Sequence, residues 1–212
     1  MIIQSCRWLS VLGAMSILLA GGCGLLYHEP EQIKYYTLSY ESPAPSAESE
    51  NSPDKAAVIR VGRIHAKPPY DTNHIVYAQS PYQRSKYVYH KWITTPADML
   101  TSFFIRDIEA FDVADIEISS SFGKAPTYNV KGIIIDFYEN NEKARWEAVL
   151  ALRLTLVKTD PESRGKRVIL SNTYREIREL EKNNPHELAR SMSKAMEAVS
   201  KQFLADLHNA LK

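Results

Sequence analysis

Residues 145–159 read RWEAVLALRLTLVKT, and this stretch constrains the fold more than any other. Trp146, Ala148, Leu150, Leu152, Leu154 and Leu156 recur at every second position, with Glu147, Arg153 and Thr155 between them. Side chains alternate across a strand, so the pattern predicts a long strand with one face in a core. YNVKGIIIDFYEN (128–140) before it and RVILSNTYREI (167–177) after it are rich in the β-branched and aromatic residues that strands favour. Short polar loops, DPESRGK among them, join the three, which makes an antiparallel meander.

A sheet with one apolar face needs a cover. The chain closes with NNPHELARSMSKAMEAVSKQFLADLHNALK, where Asn184, Pro185 and Glu187 form a helix start. Leu188, Met192, Ala195, Met196, Val199, Phe203, Leu207 and Leu211 then line one face, so the helix is long and packs on the sheet. Its methionines read as core filling rather than as ligands. A second helix is predicted in TTPADMLTSFFIRDIEAF (94–111), with Thr95 as cap, Pro96 in the first turn, and Asp98 three residues after the cap. Met99, Leu100, Phe103, Phe104 and Ile108 give it a wide apolar face.

Shorter strands are expected at IKYYTLSY (33–40), AAVIRVGRI (56–64), HIVYAQS (74–80) and KYVYHKW (86–92), with another in FDVADIEIS (111–119). KPPY (67–70) reads as a turn or extended corner and PYQRS as a hairpin loop. ESPAPSAESENSPDK (41–55) lacks apolar residues and reads as a flexible loop. The expected fold is α+β: a single domain, 33–212, with a largely antiparallel β-sheet and about two helices packed on one face.

The first residues, MIIQSCRWLSVLGAMSILLAGGC, are of another kind. One charge, Arg7, precedes an apolar run from Leu9 to Ala20, shorter than the roughly 20 residues of a membrane-spanning helix. Small residues follow, the order of a secretory signal peptide, here 1–22. The ending AGGC resembles a bacterial lipobox, in which small residues such as Gly21 and Gly22 let signal peptidase II cut before Cys23. The thiol of Cys23 would take diacylglycerol and its freed amine a third acyl chain. One chain anchors only marginally, and three would hold the protein on a membrane almost permanently. Residues 23–32 then form the tether. Gly24 replaces the Asp that retains enterobacterial lipoproteins in the inner membrane, which points to the outer membrane, periplasmic face.

Cys6 lies in the signal and Cys23 would be alkylated, so the mature chain keeps neither free thiol nor disulfide. That excludes thiol catalysis and cysteine-rich zinc sites. The chain has 26 basic and 25 acidic residues, and loss of Arg7 leaves the mature protein balanced. Such neutrality gives no support for nucleic-acid binding. The chain carries no GxSxG, HExxH, GxxxxGK or GxGxxG motif. No cofactor and no catalytic residue is assigned, and the expectation is a protein that is not an enzyme. His74 and His90 fall on neighbouring strands, but their spacing is not that of metal ligands and they read as ordinary strand histidines. The acidic residues read mostly as solvated surface charges.

PPYDTNHIVYAQSPYQRSKYVYHKW, by contrast, crowds five tyrosines and a tryptophan into 25 residues. Half-buried strands use tyrosine readily, so sheet packing accounts for much of this. Aromatic residues also concentrate at the centres of interfaces. Tyr70, Tyr77, Tyr87 and Trp92 are therefore the candidate contacts to a protein partner or lipid.

The lipobox, YYTL (35–38) and the run from IRVGRIHAKPPY to PADMLTSFFI together resemble the ABC-type transport auxiliary lipoproteins. Tyr35, Tyr36, Pro68, Tyr70, Ile75, Val76, Tyr87, Trp92, Pro96 and Leu100 carry the likeness, and VKGIIIDFY, WEAVLALRLTL and the capped terminal helix follow in the same order. The resemblance implies a non-enzymatic accessory role beside an ATPase, a permease and an MCE-domain protein. Such systems move phospholipids or other hydrophobic molecules between inner and outer membranes and support membrane integrity. A homo-oligomeric ring matched to a symmetric partner is compatible with the resemblance but is not read from these residues. The alternative is an envelope lipoprotein that regulates a cell-wall synthase or helps build a secretion pore, since fold alone does not decide function.

Overall fold

The computed structural model describes residues 31–43, 58–111, 115–117, 126–142, 145–159 and 165–212. The signal peptide, Cys23 and most of the 41–55 loop lie outside the described residues.

The three-strand meander forms as the alternation predicts. Strands β7 (Tyr128–Asn140), β8 (Glu147–Thr159) and β9 (Lys166–Glu179) hold 13, 13 and 14 residues and pair antiparallel along their whole lengths. Ala148, Leu150, Leu152, Leu154 and Leu156 of β8 are all fully buried. The other long edge of β7 is occupied by three short strands in succession. β2 (Val58–Val61), β3 (His65–Ala66) and β4 (His74–Ser80) lie along it, each parallel to β7. β5 (Gln83–Trp92) folds back antiparallel on β4. β1 (Lys34–Tyr36) and β6 (Asp115–Glu117) close the edges, parallel to β5 and β2. The result is one nine-stranded mixed sheet among the described residues. Its long pairings are antiparallel, as expected, and the parallel pairings of β2, β3 and β4 with β7 arise because the chain crosses over between β5 and β7.

The crossover contains helix α1 (Pro96–Phe111), and helix α2 (Pro185–Leu211) ends the chain. Both start as their sequences dictate. The Asp98 amide donates to Thr95 Oγ1 at 3.3 Å, and the Glu187 amide donates to Asn184 Oδ1 at 2.9 Å. Their apolar stripes meet one continuous core, in which Phe104 and Phe203 touch edge to face, 5.6 Å between centroids. Every described element belongs to one compact unit, Ile33–Lys212.

Two irregularities decide what points where. Between Ile134 and Asp136 the β7–β8 register shifts by one residue. Ile135 is squeezed out, and the inward positions change from Val130, Gly132 and Ile134 to Phe137 and Glu139. On β5 the register slips further: His74 pairs with Lys91 but Val76 with Lys86, so Tyr87–His90 bulge opposite Ile75.

At Gly132 the sheet meets Ile64 closely. A Cβ built there would lie 2.8 Å from Ile64 Cγ1 and 3.0 Å from Leu154 Cδ2, and both partners are buried. Gly132→Ala is therefore expected to lower stability by about 1–3 kcal/mol through overpacking, read as a lower midpoint in denaturant at unchanged m-value.

Candidate functional site

The β4–β5 hairpin turns in two residues, Pro81 and Tyr82, and β5 begins at Gln83, three residues earlier than the expected loop allowed. Tyr82 stands at the tip, 99% exposed. Arg84 beside it donates to the Ser80 carbonyl at 3.3 Å and lies 4.4 Å over the Tyr138 ring, which holds the tip against the sheet.

Below the tip, on the core side of the sheet, sits an aromatic cluster. The Tyr77 and Tyr87 rings are 4.8 Å apart, and Tyr87 meets His90 edge to face at 5.7 Å. Tyr36 Oη lies 2.9 Å from His90 Nδ1, so β1 is tied to the bulge by side chains as well as by the ladder. The bulge is what brings Tyr87 and His90 to the same face although three positions separate them. His74 turns elsewhere, with Nδ1 3.0 Å from the Tyr87 carbonyl. The two histidines thus bond separate partners, and no group of three or more potential metal ligands occurs among the described residues.

The cluster encloses one carboxyl group. Glu139 is 1% exposed, and Tyr87 Oη donates to its two oxygens at 3.1 and 3.4 Å. Burial pushes the Glu139 carboxyl up to about 7, against a smaller opposing effect of the Tyr87 hydrogen bond. Burial, together with the adjacent carboxylate, raises the Tyr87 phenol as well. The reading of acidic residues as solvated fails here and at Asp107 and Glu187, all buried. Asp107 shows why: it lies three residues after Phe104 and so on the buried stripe of α1.

Two of the four candidate contact residues are buried. Trp92 is 1% exposed and packs edge to face on Phe137 at 5.3 Å, so it is a core residue. Tyr70 is 6% exposed, stacks on Tyr138 at 6.2 Å and donates to Asp136 Oδ1 at 3.3 Å. Both rings are packed within the domain. Tyr77 and Tyr87 are half-buried, and the most exposed side chain among the hairpin aromatics is Tyr82, which pattern reading passed over because it lay in an expected loop. Replacing Tyr87 by Ser would strip Glu139 of its donor, so that change disturbs the fold as well as any surface.

Grooves of about 310 and 380 Å³ lie away from this cluster, one beside Arg60, Lys131 and Lys166, the other beside Lys67, Tyr70 and Arg153. Among the described residues no helix is long and apolar enough to cross a membrane.

A sheet of this order, backed by two capped helices and carrying a tyrosine-built hairpin, defines a small α+β domain. Residues 36–203 match the family described as the ABC-type transport auxiliary lipoprotein component, and the chain belongs to that family. Among solved structures it is similar to protein XCC0632 of Xanthomonas campestris, from the family DUF330. The TM-score is 0.72 at 16% identity, over 84% of this chain and 95% of that one. It is also similar to the hypothetical protein CT253 of Chlamydia trachomatis, with a TM-score of 0.53 at 8% identity, over 74% and 98% of the two chains. At these identities the likeness is one of fold. No curated protein matches.

Proposed function

We propose that this protein is the non-enzymatic, lipid-anchored outer-membrane subunit of an MCE/ABC-type transport system. In this reading Cys23 carries the acyl chains and the domain faces the periplasm. The domain docks the MCE-domain protein, whose permease and ATPase move phospholipid or another hydrophobic molecule between the two membranes. The observation that carries the reading is the family match over residues 36–203, which names an auxiliary lipoprotein of ABC-type transport. A short, braced hairpin whose tip offers an exposed tyrosine, a residue type favoured as an interface anchor, supports a contact there.

Tyr82 makes none of the core contacts, so its removal should leave the fold alone. Tyr82→Ala is expected to keep the wild-type melting temperature and to lose about tenfold or more in affinity for the MCE-domain protein, as anchor residues do. Binding equal to wild type by the folded variant would take the hairpin tip out of the contact.

A further inference from the structure

The outer edge of the sheet carries an apolar row that the core does not use. β1 pairs in parallel with the end of β5, Tyr35 with Lys91 and Tyr36 with Trp92. Trp92 enters the core, so Tyr35 and Lys91 point to the opposite side of the sheet. Ile33 and Ile93 continue the same alternation one residue beyond each strand, and Tyr89 lies in the adjoining bulge. Their exposures are 44% for Ile33, 54% for Tyr35, 41% for Tyr89 and 59% for Ile93. Single exposed apolar residues are ordinary, but four in one row mark a surface that meets something.

The chain itself says what lies nearby. Ile33 is the first residue of the compact unit and a member of the row. Only residues 24–32 separate it from Cys23, and ten peptide steps reach at most about 35 Å in any conformation. The tether therefore ends inside the apolar row. The composition of the row suits a bilayer surface: tyrosines sit at the headgroup level, and Lys91 between Tyr89 and Ile93 can extend its ammonium to phosphates. The hairpin tip stands at the far end of β5, eleven residues from Ile93 and so roughly 30 Å away along an extended strand. One end of β5 would thus face the membrane while the other faces the periplasm.

We propose that Ile33, Tyr35, Tyr89 and Ile93 rest on the surface of the bilayer that holds the Cys23 anchor, and so set the orientation of the domain. This rests on reading Cys23 as the anchor. The mature chain has no other cysteine, so single-thiol variants can be labelled. Tyr35→Cys, Ile93→Cys and, on the outer side of α2, Lys194→Cys would each carry an environment-sensitive fluorophore in the full-length lipidated protein. Each would be reconstituted in vesicles of phosphatidylethanolamine and phosphatidylglycerol, with circular dichroism checking the fold. Nitroxide-labelled lipids are expected to remove most of the emission at positions 35 and 93 and to leave that at 194 unchanged. Unquenched labels at 35 and 93 on protein that floats with the vesicles would overturn the inference. Shielding of those two labels only after the MCE-domain protein is added would do the same, and would make the row a protein interface. Mass spectrometry of the N-terminal peptide tests the anchor separately: acyl chains on Cys23 are expected, and an unmodified Cys23 would make the anchor reading fail, while quenching at 35 and 93 still reports the contact.

Discussion

Replacing Glu139 by Gln should stabilise the protein at pH 8.5 by about 3 kcal/mol more than it does at pH 4.5. The Glu139 carboxyl is raised from 4.5 to about 7 because it is buried in the Tyr77–Tyr87 cluster. A carboxyl held above its unfolded value binds its proton more tightly in the folded state. Its contribution to stability is complete below pH 4.5 and is lost as the pH rises through 7. Gln keeps an acceptor for the Tyr87 hydroxyl and cannot ionise. Paired thermal melts of the wild type and Glu139→Gln across this range should diverge by roughly 10 °C, given the usual two to four degrees per kcal/mol for a chain of this size. Parallel profiles would mean that Glu139 reaches solvent when ionised.

Asp107→Ala should cost about 3–5 kcal/mol, the largest single-site loss we expect. This carboxylate is fully buried, and both its oxygens are used. Tyr40 Oη and Ser200 Oγ each donate to Oδ2 at 2.6 Å, while Ser42 Oγ at 3.0 Å and Arg106 Nη2 at 2.6 Å donate to Oδ1. The donors come from the segment after β1, from α1 and from α2, so one group ties three distant parts of the chain together. Arg106 is further held over the Tyr40 ring at 4.4 Å and the Phe103 ring at 4.6 Å. Alanine would leave three hydroxyls, that of Ser200 fully buried, and a guanidinium without this acceptor, and unpaired buried groups are expensive. Chemical denaturation should show the loss as a lower midpoint, with Asp107→Asn falling between the two. A loss below about 1 kcal/mol would mean that water replaces the carboxylate, contrary to the burial described.

These two residues also show where reading the sequence stops. The β8 alternation and the α2 stripe are legible because each repeats over many residues with one period, and their buried faces follow position by position. The sequence YNVKGIIIDFYEN suggests one strand but not which way Glu139 points. Strict alternation would put it opposite Val130, outward, and the extra residue at Ile135 turns it inward. Nothing local announces that insertion, since it is set by pairing with β8. The hairpin tyrosines repeat the lesson: the Tyr87–His90 bulge decides which rings enter the cluster, so composition marked the region but chose Trp92 and Tyr70, both buried, and passed over Tyr82. Asp107 was within reach, because its spacing from Leu100 and Phe104 places it on the helix face that packs inward.

The proposed arrangement is a domain held at a membrane by its β1 edge, with Tyr82 turned toward an MCE-domain partner. Gentle detergent extraction of the full-length lipoprotein from its own membranes, with capture and protein mass spectrometry, tests it most directly. Recovery of an MCE-domain protein together with its permease is the predicted result. Recovery of a cell-wall synthase or a secretion subunit with no MCE-domain protein would contradict the transport reading.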